Sequence, residues 1–239
     1  MPDQSAKLNP WEIDVLLRGD LETISPWLRQ ANPHRLLLHV VAIVVGAGCY
    51  GAAMGWWRDP QQAIYIAIKL PLIILLTTLG SSLLNAMFAP LLGLDITIRQ
   101  SISLILMSFT IAATILGAFS PLIAFVVWNA PGMASKGASD AAYNFILPAH
   151  VLVIALAGIA GNIRLFQLLK RLAGSPGVAS RVLLAWLAVN LFLGAQLSWN
   201  LRPFVGAPGL PVEFLRRNAF QGNFYEAVFH ALQQIFITK

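Results

Sequence analysis

Charge is what this sequence has least of. Only 11% of its 239 residues are Asp, Glu, Lys or Arg, against about 25% in an ordinary soluble domain. That is too little polar surface for a water-facing globule, which excludes a soluble enzyme and a soluble nucleic-acid-binding domain. Cysteine is almost missing as well: Cys49 stands alone, and a disulfide-stapled secreted module is excluded with it. The ten acids are Asp3, Glu12, Asp14, Asp20, Glu22, Asp59, Asp95, Asp140, Glu213 and Glu226. Between them run long acid-free stretches of apolar sequence, which read as membrane spans.

What is present agrees. Hydrophobic residues make up 57% of the chain and mean hydropathy is +0.71. Five segments are long enough to cross about 30 Å of hydrocarbon as helices: Leu36 to Trp57, Ala63 to Leu92, Ser101 to Trp128, Phe145 to Gln167 and Val182 to Leu201. Barrel strands would be about 10 residues long with alternating polarity, and these segments are neither. The expected fold is therefore all-α, a polytopic transmembrane helix bundle of about five spans with interfacial helices at both ends. Residues 1–35 form an N-terminal interfacial region, 36–201 the bundle, and 202–239 a turn-rich segment and an amphipathic helix. Segments two and three are over-long and carry Pro71, Pro90 and Pro121. Kinked or tilted helices account for them, with a re-entrant pair as the alternative for segment two.

The sixteen Lys and Arg give a net charge of +6 but lie scattered between spans, as topology and anionic lipid require. A nucleic-acid partner would need a clustered basic footprint. No cleavable signal is legible before segment one, so it is expected to stay as an anchor. Basic residues favour a cytoplasmic N-terminus, and five spans then put the C-terminus outside, in what we expect to be a bacterial inner membrane. Trp56, Trp57, Trp128 and Trp199 close odd-numbered spans and so fall on one side.

Both ends carry helix signals. Asn9-Pro10-Trp11-Glu12 and Ser25-Pro26-Trp27 each read as a capped start with Pro in the first turn, Glu12 completing a capping box. They predict short surface helices at about 9–18 and 25–31. In the tail, Gly and Pro from Gly206 to Pro211 forbid a helix. Asn223, with Glu226 three residues on, then opens one with an apolar stripe of Phe224, Val228, Leu232 and Ile235. His230 on its polar side reads as a solvated residue.

Catalytic patterns are wanting. No acid lies in a span, and none of His34, His39, His150 and His230 has a metal-ligand partner at helical spacing. His39 and His150 fall at different depths, against a haem pair. Leu79-Gly80-Ser81-Ser82-Leu83 is not a nucleophile elbow, Gly174-Ser175-Pro176-Gly177 is not a P-loop, and Cys49 reads as a small buried residue. No catalytic residue, metal or cofactor is expected.

The spans do offer small-residue faces for close helix packing, with Gly51 and Gly55 after Ala47, and Gly161 after Ala157. Asn85, Asn162, Asn190, Gln196 and Asn200 can bond between helices. Asn190, Gln196 and Asn200 in span five are the candidate polar path. Lys69 and Arg164 lie within spans and are the candidate lipid-headgroup contacts, snorkelling outward; either would become an anion site if it faced the bundle.

Span count and orientation over about residues 36 to 201 resemble the Yip family of small five-span proteins. That resemblance implies membrane trafficking or organisation and no catalytic residue. Leu201-Arg202-Pro203-Phe204-Val205-Gly206 and Gly222-Asn223-Phe224-Tyr225 also look like elements of bacterial multi-pass proteins without an assigned activity. The functional expectation is a non-catalytic scaffold, assembly factor or accessory subunit. Its expected partners are membrane lipids and other membrane subunits or copies of itself, with no nucleic acid. The alternative is an oligomeric channel or transporter lined by span five.

Overall fold

The computed structural model describes residues 9–30, 32–131, 138–205 and 211–237, and gives no side-chain account of 138–141, 230–232 and 234–237. The expectations for His230, Leu232 and Ile235 lie outside that description. Among the described residues the chain is helical without strands: α1 Trp11–Arg18, α2 Leu21–Ile24 continuing as a tight turn Ser25–Leu28, α3 Pro33–Trp56, α4 Pro60–Leu91, α5 Ile98–Asn129, α6 Ala138–Ala173, α7 Pro176–Leu201 and α8 Phe224–Ile237. Five of these, α3 to α7, are long and apolar enough to cross a membrane.

Helix starts follow from local chemistry. Asn32 and Asp59 each accept backbone N–H bonds with Pro33 and Pro60 next in line, and Thr97 and Gln100 complete a reciprocal capping box. Spans one and two consequently begin at Pro33 and Pro60, earlier than the hydropathy edges at Leu36 and Ala63. A cap tolerates polar residues in the first turn that a hydrophobicity window rejects. Segment two is one continuous helix through Pro71, with Pro90 in its last turn, so the re-entrant alternative is set aside. At about 1.5 Å per residue it is some 48 Å long, and it must tilt or protrude.

The bundle is knitted by glycines. A Cβ on Gly51 would strike the Ile66 carbonyl, one on Gly55 would meet Ala63 and Gln62, and one on Gly161 would meet the Ser108 carbonyl. Gly46 and Gly117 also meet face to face across α3 and α5, a contact that the spacing of Ala47, Gly51 and Gly55 does not announce. Helices α3, α4 and α5 form the centre; α6 packs mainly on α5 and α7 mainly on α4. Cys49 is exposed on the outer face of α3 rather than buried, because the residues that point inward around it are Ala47, Tyr50 and Gly51.

The near end of the bundle is plugged by the N-terminal helices. Val15, Leu16, Ile24 and Leu28 pack with Leu165, Leu168, Leu169, Val182 and Trp186. The second helix starts at Asp20, whose side chain accepts from the N–H groups of Glu22 and Thr23, not at Ser25, whose hydroxyl instead donates to the Leu21 carbonyl. Glu12 does not close a capping box; it takes a two-point ion pair from Arg35, at 3.1 Å on both contacts. In the tail, Asn223 and Glu226 do bond reciprocally at the start of α8.

Candidate functional site

Two features lie outside ordinary bundle packing. The first is at the far end, where α3, α5 and α7 finish. Gln62 and Lys69 are seven residues apart on α4 and so share a face. The chain leaving α7 folds across them: the Pro203 carbonyl accepts from Gln62 Nε2 at 3.2 Å and from Lys69 Nζ at 3.1 Å, and the Phe204 carbonyl from Gln62 Nε2 at 2.6 Å. Lys69 is 0% exposed, with the Phe214 ring 5.1 Å from its ammonium. It does not snorkel to lipid as expected, because the tail brings a carbonyl and an aromatic face to it.

Beside this joint is a cavity of about 410 Å³ lined by Arg202, Pro203, Pro211, Glu213, Arg216, Arg217 and Asn218. The Arg202 guanidinium lies 3.2 Å from the centre of the Trp199 ring, and its Nε and Nη1 are buried without a hydrogen-bond partner among the described residues. Desolvation first, and the like charge of Arg216 second, hold Arg202 below the ordinary guanidinium value. Among the described residues none of the three arginines is ion-paired to Glu213.

The second feature is a lateral groove of about 900 Å³ among α4, α5, α6 and α7. Its walls are apolar, with Ile73, Phe109, Ile159 and Leu187 among them, and small at Gly158, Gly194 and Ser198. Its lining includes Thr77, a residue 3% exposed, and Asn190; the Thr77 hydroxyl and the Asn190 carbonyl oxygen are buried with no hydrogen-bond partner among the described residues. Asn190, Gly194 and Ser198 stand four residues apart and form one row on α7.

The expected polar path of Asn190, Gln196 and Asn200 is therefore not one face. Six residues of α-helix turn through about 240°, so Gln196 leaves the groove. It donates to Asn200 Oδ1 at 3.1 Å and accepts from the Phe224 backbone N–H at 3.1 Å, pinning the start of α8. Tyr225 adds a 2.7 Å bond to the Phe192 carbonyl and stacks on that ring.

Arg164 also does not reach for lipid. It donates to the Leu17 and Arg18 carbonyls, at 3.1 Å each, and to Gln167, so a cation closes the C-terminus of α1. Gly19 has φ of 73° there, and a Cβ would strike the guanidinium. Gly51, Gly55 and Gly161 sit at helix contacts, as described above.

His39 and His150 are not together. Tyr50 and His150 form a buried 2.9 Å hydrogen bond between α3 and α6. Among the described residues no group of three His, Cys, Asp or Glu side chains could hold a metal ion. Ser81 and Ser82 are buried hydroxyls bonded to the Thr78 carbonyl. Sequence reasoning missed Gln62, Thr77, Tyr50 and the arginine cavity. Gln62 and Lys69 were findable as polar residues seven apart on an apolar helix, and Arg216-Arg217 as a basic pair after a rigid turn-rich stretch. Comparison with protein-family models, with curated proteins and with solved structures gives no match.

Proposed function

We propose that this chain is a non-catalytic accessory or scaffold subunit of the membrane, which receives a transmembrane helix of a partner subunit, or of a second copy, in the groove between α6 and α7. One observation carries the reading: the groove combines a small-residue row on α7 with two buried acceptors or donors, Thr77 and Asn190, that no described residue satisfies. Small residues let a helix backbone approach closely, and a polar side chain inserted between α4 and α7 would satisfy Thr77 and Asn190. An acyl chain fills apolar space but offers them no hydrogen bond. The Yip-like arrangement of the spans fits the same role in membrane organisation. The distribution of basic residues supports a bacterial inner membrane with the N-terminus in the cytoplasm.

Two neighbouring glycines provide the test. A Cβ on Gly158 meets nothing within 4 Å, whereas one on Gly161 meets α5. Gly158→Leu therefore starts from open space at a position that lines the groove. Native purification in a mild detergent, followed by mass spectrometry, should show wild-type protein with a retained subunit or second copy. Gly158→Leu should release it, and Val45→Leu on the exposed face of α3 should keep it. A 26.0 kDa species without a partner in all three, or equal retention in all three, overturns the reading.

A further inference from the structure

We propose that the far-end cavity is an anion site, built to hold a phosphate group carrying one or two negative charges. Arg202, Arg216 and Arg217 line it against the one carboxylate of Glu213. Lys69 stands directly behind, its ammonium bonded to the Pro203 carbonyl that forms the wall. Cations gathered this closely, at the edge of an apolar bundle, repel one another and gain from an anion that shields them. Arg202 is the marker: two of its donors are buried and unpartnered, while Trp199 fixes the plane of its guanidinium. A planar guanidinium at the cavity wall suits phosphate oxygens.

The volume, about 410 Å³, exceeds what a lone ion needs and accommodates a phosphate bearing a small polar substituent. The position, where α7 ends, is headgroup depth for a spanning helix. Two sources supply this chemistry, the phosphodiester of an anionic lipid and a free phosphate from solution. The site shares no residue with the α6–α7 groove, so either can fail alone.

The full chain is reconstituted into nanodiscs of phosphatidylcholine containing one-fifth phosphatidylglycerol, and lipid co-purifying after detergent extraction is counted by native mass spectrometry. In parallel, inorganic phosphate is titrated onto detergent-solubilised protein while thermal unfolding is followed. Three proteins are compared: wild type, R216Q/R217Q at the cavity, and R29Q/R171Q as a control with the same charge removed at the exposed near end.

If a lipid is the source, wild type and control retain phosphatidylglycerol over phosphatidylcholine, and R216Q/R217Q lowers that preference about tenfold or more, as expected for two lost basic contacts. If free phosphate is the source, millimolar phosphate raises the unfolding temperature of wild type and control but not of R216Q/R217Q, with no lipid preference. A cavity variant that matches wild type in both arms, or a control that loses as much as the cavity variant, overturns the proposal. Equal helical circular dichroism in the three proteins keeps misfolding from imitating a lost site.

Discussion

The two ends of the bundle are closed by opposite means. At the near end a pair of short helices buries Leu16, Ile24 and Leu28, and the charges that hold them are answered within the chain: Glu12 by Arg35, Asp14 by Arg18, and Arg164 by the carbonyls that α1 leaves free. At the far end a short non-helical segment, Arg202 to Val205, folds over α4 and is held by Gln62 and Lys69 through its backbone. Among the described residues Lys69, Arg202, Arg216 and Arg217 form no ion pair with an acid. A charge that is matched within the chain needs nothing further. An end that gathers Lys69 and three arginines around the carboxylate of Glu213 gains from an outside anion. The difference separates a structural cap from a binding cap within one small bundle.

Four substitutions or conditions break or sharpen that contrast. The largest effect belongs to the near end. Leu16→Ala should cost about 2–5 kcal/mol, the range for emptying a fully packed leucine site, seen as a large drop in unfolding temperature in detergent. A negligible drop would mean that the N-terminal helices are not a structural plug. Next, Glu12→Gln should cost about 1.5–3 kcal/mol, because it removes a charge-assisted two-point bond from Arg35 in a half-buried setting. The double change E12R/R35E should recover part of that loss, and a double variant no better than the single one would show that the pair contributes nothing specific.

A smaller effect is expected at the far end. Lys69→Met keeps the stem volume, removes a buried charge that has no acidic partner and leaves the Pro203 carbonyl bonded to Gln62. Stability should therefore change by no more than about 1 kcal/mol, by the same unfolding measurement. A loss as large as that at Glu12 would make the far end as structural as the near one. The smallest effect is a pH response at Asp20. The Thr23 hydroxyl, then the Thr23 backbone N–H, hold this exposed carboxyl below its ordinary value of 3.8. The cap's contribution is thus complete above that value and fades as pH falls through the lowered native one. Hydrogen exchange at the Glu22 and Thr23 amides should speed up in acid, and Asp20→Asn should remove the pH dependence while keeping an acceptor.

Much of the fold was legible. Acid-free apolar stretches marked the five spans, and Asn223 with Glu226 marked the start of α8. Span edges were less so, since a capped start such as Asp59-Pro60 is polar by composition and helical by hydrogen bonding. The site was hardly legible. Arg164 and Lys69 carry the same type of charge within similar apolar surroundings, and the same snorkelling rule covers both. One lies where an N-terminal helix ends and the other where the tail returns, and neither meeting is written in neighbouring residues. Asn190 and Gln196 were grouped because both are amides on one helix; the angle between them separated a groove from an anchor.

Composition and periodicity determined what each segment could be: an apolar span, a capped surface helix or a Pro- and Gly-bound turn. Those are local consequences of side-chain transfer energies and backbone sterics, which a short window contains. Only the tertiary structure decided what each polar group was for. A buried Lys, Arg or Asn takes its role from the carbonyl, ring or empty space across from it, and in this chain that neighbour is often more than a hundred residues away, as Pro203 is from Lys69 and Leu17 from Arg164.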